Sequence, residues 1–391
     1  MRYLLLRLKR FCGYIVGIIF FISGILKLMD PVGAGLVMNE YYKFMHLEFL
    51  SFSAKFLGVT FAFGEAVIGA ALATGVWRQI IAKCALALQT FFTLITLSLV
   101  IFKPEMDCGC FGEAIHLTHA QTFVKNVILL ALIATYTFPL KQLGQTIRRK
   151  YVSFSILTVS LAAFTVYSWI YIPLTDFTAY KSGAELLSSS SIYTDDLYEA
   201  VFTYEKDGRT QEFSLDALPD STWTFVGTQT RTKTDRDRSY IGLSFYKPGT
   251  EEYADSLACS GKVMIVSVYD TDMKENKWKG IESFILNAEA AGFKTILICT
   301  SSEGIPGALA DIAFISDYKT IISLNRSNGG VTYFSNGTLL RKWARINTPD
   351  MQELEKTFKD DTTEVAMSYN SKGSLEFQGF LLYVFAVLLL L

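Results

Sequence analysis

Two cysteines one residue apart, in Asp107-Cys108-Gly109-Cys110-Phe111-Gly112, carry the most pointed chemistry in this sequence. A thiolate attacks disulfides, and a neighbouring thiol can resolve the mixed disulfide that forms. Gly109 gives the backbone the freedom that closing so small a ring needs. Cys108 and Cys110 therefore read as a candidate redox pair. Two other readings stand beside it: a structural disulfide locking the loop, and a pair of soft metal ligands. His116 and His119 follow shortly after and are two of the three histidines in the chain. Spaced i, i+3, they share a face if the segment is helical. They are weak metal candidates, because the ligand spacing matches no standard zinc pattern. Capping the next helix would suit them equally.

Glu65 and Lys27 form a second constellation. Each is a charge inside a long apolar run, where an ionisable group is costly and finds a partner. Lys27 can reach inward toward Glu65. The pair is either a structural interhelical contact or a proton-linked site, and a membrane quinone is the cofactor class such a site suggests. Ala62, Ala66 and Ala70 recur every four residues, which gives a smooth face for close helix packing. The other cysteines are scattered. Cys12 and Cys84 fall at helix ends away from the paired loop, Cys299 lies in an expected buried strand, and Cys259 precedes one. A mixed disulfide between Cys259 and Cys110 is open to the chain, as is an unpaired thiol.

The elements that must position these groups follow from hydropathy. The chain has 391 residues, 51% of them hydrophobic and 19% charged, with mean hydropathy +0.30. That is too apolar for a soluble protein and too charged for a helix bundle alone, so a membrane part and a soluble part are expected. The net charge of −1 leaves no basic field for nucleic acid. Apolar runs predict spans over about 11–29, 54–76, 80–102, 120–140 and 151–173, each near the ~20 residues a bilayer requires. The aromatic-rich stretch 31–53 reads as an amphipathic surface piece. Residues 375–391 are apolar but short, and read as a possible sixth helix.

Lysine and arginine in the short loops give orientation. The N-terminus, Arg78 with Lys83, and Lys141 with Arg148, Arg149 and Lys150 fall on one side. The expectation is a cytoplasmic N-terminus, with the cysteine loop and everything after Pro173 outside the cytoplasm.

Beyond 174 the composition becomes that of a soluble domain. Ser188–Ser191 reads as linker, and 201–215 as a hairpin around Asp207-Gly208. Residues 221–245 are polar, with a charged middle at Lys233–Arg238. Residues 262–269 and 294–299 read as buried strands flanking a helix over 275–291 that Gly292 ends. A short helix over 318–325, a hairpin over 331–344 with an Asn336-Gly337 turn, and a closing helix over 349–358 capped by Thr348 complete the series.

By these residues the chain resembles a known family. Ser23-Gly24-Ile25-Leu26-Lys27-Leu28-Met29-Asp30-Pro31, Glu65, and Asp107-Cys108-Gly109-Cys110-Phe111-Gly112 look like the DoxX-like and methylamine-utilisation MauE-type membrane proteins, over roughly 10–140. The resemblance implies a bundle of four or more helices and an association with periplasmic redox maturation beside thioredoxin-like partners. The element order over 262–358 resembles the thioredoxin fold of periplasmic TlpA-like proteins, with two departures. Asp270-Thr271-Asp272-Met273 stands where Cys-x-x-Cys would follow the first buried strand. Ser327-Asn328-Gly329-Gly330 stands where a proline precedes the later hairpin.

The expected architecture is an α-helical transmembrane bundle of about five helices, six with the C-terminal run, plus an extracytoplasmic α/β thioredoxin-like domain. Its divisions are 1–150, the fifth helix over 151–173, a β-rich linker over 174–260, the domain over 261–360, and 375–391. Two functions remain open: a membrane thiol-redox component working through Cys108 and Cys110 with an extracytoplasmic or membrane protein partner, and a non-catalytic subunit that binds a partner through its cysteine-poor soluble domain. No phosphate loop, serine triad or zinc-hydrolase helix is present.

Overall fold

The computed structural model describes residues 2–104, 106, 108–139, 146–186, 198–206, 209–214, 218–219, 222–232, 240–250 and 252–390. The serine run 188–191, the Asp207-Gly208 turn, the charged stretch 233–238, Lys141 and Asp107 lie outside them. Two compact units divide the chain: Met1–Thr178 with Asn370–Leu391, and Ala179–Tyr369.

In the first unit, each predicted span is a helix. These are α1 (Arg2–Met29), α3 (Ala54–Thr74), α4 (Arg78–Phe102), α5 (His119–Thr137) and α6 (Arg148–Ile170). Among the described residues, five stretches are long and apolar enough to cross a membrane. The stretch 31–53 is more structured than a surface piece. It forms α2 (Pro31–Phe44) and a 3₁₀ turn over Glu48–Ser53, and α2 buries Val32, Ala34 and Tyr42. The reason is local. Pro31 supplies a preset φ and no unsatisfied N–H at the first helical position, and Asp30 accepts from Gly33 N at 2.9 Å. The break at Asp30-Pro31 thus ends one helix and starts the next.

Backbone proximity holds α1 on α3. A Cβ at Gly24 would lie 2.6 Å from Ala66 N, so only glycine allows the approach. Ala62, Ala66 and Ala70 are buried there against Phe21 and Ile25. Such small-residue seams let helices gain dispersion contacts where lipid offers no hydrophobic drive. The C-terminal run belongs to a helix longer than expected, α11 (Thr362–Leu390). Its far half packs on α6: Phe380 stacks on Phe164 with centroids 4.4 Å apart, and Ser153 Oγ donates to Val387 O at 2.8 Å.

The second unit holds a sheet of seven strands in the order β6 (Tyr240–Ile241), β2 (Glu185–Leu186), β11 (Thr338–Trp343), β10 (Gly330–Ser335), β7 (Lys262–Val268), β8 (Lys294–Cys299), β9 (Ala313–Ile315). β7, β8 and β9 run parallel, while β10 and β11 are antiparallel. β7 is apolar from Val263 to Val266 and again at Val268 because both its faces are covered. Met264, Val266 and Val268 meet Trp278 and Ile281 of α7 (Glu275–Ala290). Val263 and Ile265 face Phe334 and Leu339 in a second core. A separate sheet has the order β4 (Arg209–Ser214), β3 (Tyr198–Lys206), β5 (Thr224–Thr232). Short helices α8 (Gly307–Ala310) and α9 (Tyr318–Leu324) precede β10. The closing helix, α10 (Met351–Lys359), is capped by Asp350, which accepts from Glu353 N, and not by Thr348. Asp350 sits immediately before the first helical residue, where its carboxylate reaches the exposed amides; Thr348 is too far back.

Candidate functional site

The cysteine loop is fixed from below by side chains of two helices. Ser23 Oγ of α1 donates to Cys110 O at 2.6 Å, and Tyr41 Oη of α2 donates to Cys108 O at 2.9 Å. Burial, with Cys110 and Cys108 nearby, pushes the Tyr41 hydroxyl up, so it stays a neutral donor. Gly109 adopts φ +59°, and a Cβ there would overlap Val37 of α2. The position thus needs glycine twice over, for its backbone region and for its space. Gly112 N closes a turn on Gly109 O at 3.2 Å, and β1 (Cys110–Glu113) carries the chain onward. Cys108 is buried and Cys110 half-buried, both as thiols.

Beneath the loop lies a cavity of about 260 Å³. Lys27 Nζ and Glu65 Oε2 meet in its wall at 2.6 Å, with side chains 16% and 6% exposed. The Phe92 ring lies 5.6 Å from the ammonium, within range of a cation–π attraction. Phe91, Leu129 and Cys108, Gly109 and Cys110 complete the lining that matters here. The structure therefore gathers Cys108, Cys110, Lys27 and Glu65 around one space. A charge inside a span costs roughly 2.5–3.5 kcal/mol on insertion scales, and pairing is what makes it tolerable.

The histidines do not join this group. His119 Nε2 bonds Met106 O at 2.8 Å at the start of α5, where Thr118 and Gln121 form a reciprocal capping box. His116 borders a smaller cavity behind the loop, with Cys108, Cys110 and Thr122. Thr122 Oγ1 is buried there with no hydrogen-bond partner among the described residues. Among the described residues no group of three or more histidine, cysteine or acidic side chains could hold a metal ion.

Several site residues escape a sequence reading. Ser23 and Tyr41 look like ordinary helix and interface residues until their hydroxyls are seen on the loop carbonyls. Asn126 Nδ2 of α5 donates to Thr96 Oγ1 at 3.2 Å, and the Asn126 backbone carbonyl accepts from Gln89 Nε2 at 2.9 Å, a polar seam between α4 and α5. An amide in mid-span is a legible signal, since it must find a partner.

The other cysteines lie elsewhere. Cys299 ends β8 with no exposure, and burial pushes its thiol up to about 12. Cys259 Sγ donates to Asp255 O at 3.4 Å; burial first, then the Asp255 charge, raises its pKa.

Comparison with known proteins supports this reading of the helices. No curated protein and no solved structure matches the chain. Residues 198–234, covering β3, β4 and β5, match the model of a domain of unknown function (DUF8463). Residues 3–139, which hold α1 to α5 and the whole cavity, match the family model described as methylamine utilisation protein MauE.

Proposed function

We propose that the chain is a membrane thiol–disulfide component that works through Cys108 and Cys110 outside the cytoplasm, in the maturation of an extracytoplasmic protein. The observation that carries this reading is the shared cavity. Two thiols, a glycine hinge and a buried ion pair surround one space, and two of the contacts that hold the loop are made to its carbonyls. The lysine and arginine asymmetry of the loops supports a topology in which the cysteines face the side where oxidants operate. Likeness to DoxX-type proteins, and a periplasmic inner-membrane setting, belong to the same reading.

Mass spectrometry after thiol alkylation across a glutathione series tests it. The expected result is reversible joining of Cys108 and Cys110 in mild redox buffer, and a mixed disulfide trapped on Cys108 in Cys110→Ser. Thiols that stay reduced throughout, with no trapped partner, would overturn the proposal. Orientation is tested by labelling an introduced cysteine at Asn336, which should react from outside intact cells.

The second reading is a partner-binding subunit. It is favoured by the turn after β7, where Asp270–Met273 offers no thiol. The β7–α7–β8 unit followed by the β10–β11 hairpin and α10 is in the element order of a thioredoxin core, and such a domain without a Cys-x-x-Cys would serve recognition. The two readings are compatible if the second unit delivers the protein that the loop acts on.

A further inference from the structure

We infer that the cavity beneath the cysteine loop receives the head group of a lipid-soluble quinone, which enters sideways between α1 and α5; this rests on the dithiol reading above. A groove runs along these two helices, walled by Ile15 and Ile19 of α1 and by Val124, Ile128 and Leu132 of α5. Val124 and Ile128 are exposed, and on helices that span a membrane that face meets lipid. Ile19, Lys125 and Leu129 wall both the groove and the cavity, so the two spaces adjoin. Lys125 also lies over the Phe111 ring at 4.6 Å, which places the junction beside Cys110. A water-soluble oxidant would need no such side entrance.

The interior suits a flat, apolar ring with polar edges. Phe91, Phe92 and Leu129 supply the walls, and the Lys27 ammonium supplies a hydrogen-bond donor for a ring carbonyl. The redox balance also fits this ligand class. Cys108 and Cys110 lose two S–H bonds and gain one S–S bond, releasing two electrons and two protons. The quinone takes up both electrons and both protons as its two carbonyls become hydroxyls. No further co-reactant is needed, and an isoprenoid tail would occupy the groove.

The test uses the full-length protein in lipid nanodiscs, with both thiols reduced and air excluded, and decylubiquinone as the probe. One quinone should be consumed for each pair of thiols lost. Ile128→Trp, which fills the groove but not the cavity, should slow this by about tenfold, or ~1.4 kcal/mol of barrier. Val124→Trp serves if the first variant is unstable. The tail-less head group should react more slowly than decylubiquinone and be insensitive to either substitution. If glutathione disulfide oxidises the pair but decylubiquinone does not, the quinone site is wrong and the dithiol reading stands. If neither oxidises it, the dithiol reading itself falls. Unchanged decylubiquinone rates in both tryptophan variants would overturn the side entrance.

Discussion

The loop over the first unit's cavity and the strand-to-helix turn of the second unit are two places where a chain can present thiols, and they differ in every physical respect. In the first, Cys108 and Cys110 flank a glycine at φ +59°, above a buried ion pair. In the second, the turn after β7 carries Asp270 to Met273. There, Asn328 accepts from Tyr269 N at 2.9 Å and Asp270 N at 3.1 Å and donates to Asp270 O at 2.8 Å. An amide side chain clamps the turn that a redox pair would need free. The second unit's cysteines sit in or beside its hydrophobic cores, where desolvation holds the thiol form. The contrast teaches that one chain can set the same residue type in very different surroundings, two thiols lining a cavity and two others in or beside packed cores.

The largest expected effect comes from unbalancing the ion pair. Glu65→Ala leaves the Lys27 ammonium buried without its carboxylate and should cost about 3–5 kcal/mol, read as thermal unfolding in detergent. Lys27→Met with Glu65→Met should cost clearly less than either charge removed alone. Additive losses would show that the two do not act as a pair.

Gly109→Ala should cost about 1–2 kcal/mol for its left-handed backbone alone, with Val37 forced to move as well. The same variant should abolish reversible oxidation of the loop in the glutathione series. If it oxidises like the parent protein, the hinge is not what allows ring closure.

Ser23→Ala removes one hydrogen bond to the Cys110 carbonyl and should cost about 1 kcal/mol. It should also shift the glutathione midpoint, because the loop no longer holds its shape. Tyr41→Phe should do the same through the Cys108 carbonyl. Unchanged midpoints would show that these hydroxyls serve stability only.

The smallest effect sharpens the contrast from the other side. Cys259→Ser with Cys299→Ala should leave the glutathione titration of Cys108 and Cys110 unchanged. Cys299 should also resist alkylation at neutral pH. Its raised pKa favours the fold fully below the ordinary thiol value near 9, and that contribution fades as pH climbs through about 12. A calorimetric scan should show the second unit losing stability across that window. Cys299→Ala should flatten the loss.

Much of this could be read in the chain before any fold was known. Apolar runs, their charged ends and glycine stops are local signals, so the five spans and the strands of the soluble part follow from hydropathy and capping. The Cys-x-Cys loop is equally local. The stretch 31–53 is less legible, because mixed polarity suggests a surface piece, and only packing against α3 shows α2 as a partly buried helix. The start of α11 is hard to read because Thr362 to Ser374 is mostly polar, with too few apolar residues to mark a helix.

What the sequence by itself determined is which residues are chemically able: two thiols around a glycine, and two charges set in apolar helices. What the tertiary structure decided is that they share one cavity. Ser23 reaches Cys110 across 87 positions, Tyr41 reaches Cys108 across 67, and Lys27 reaches Glu65 across 38. No local pattern encodes those meetings. They depend on how closely α1 can lie on α3, which glycine and alanine side chains permit, and on α2 turning back beneath the loop after Asp30-Pro31.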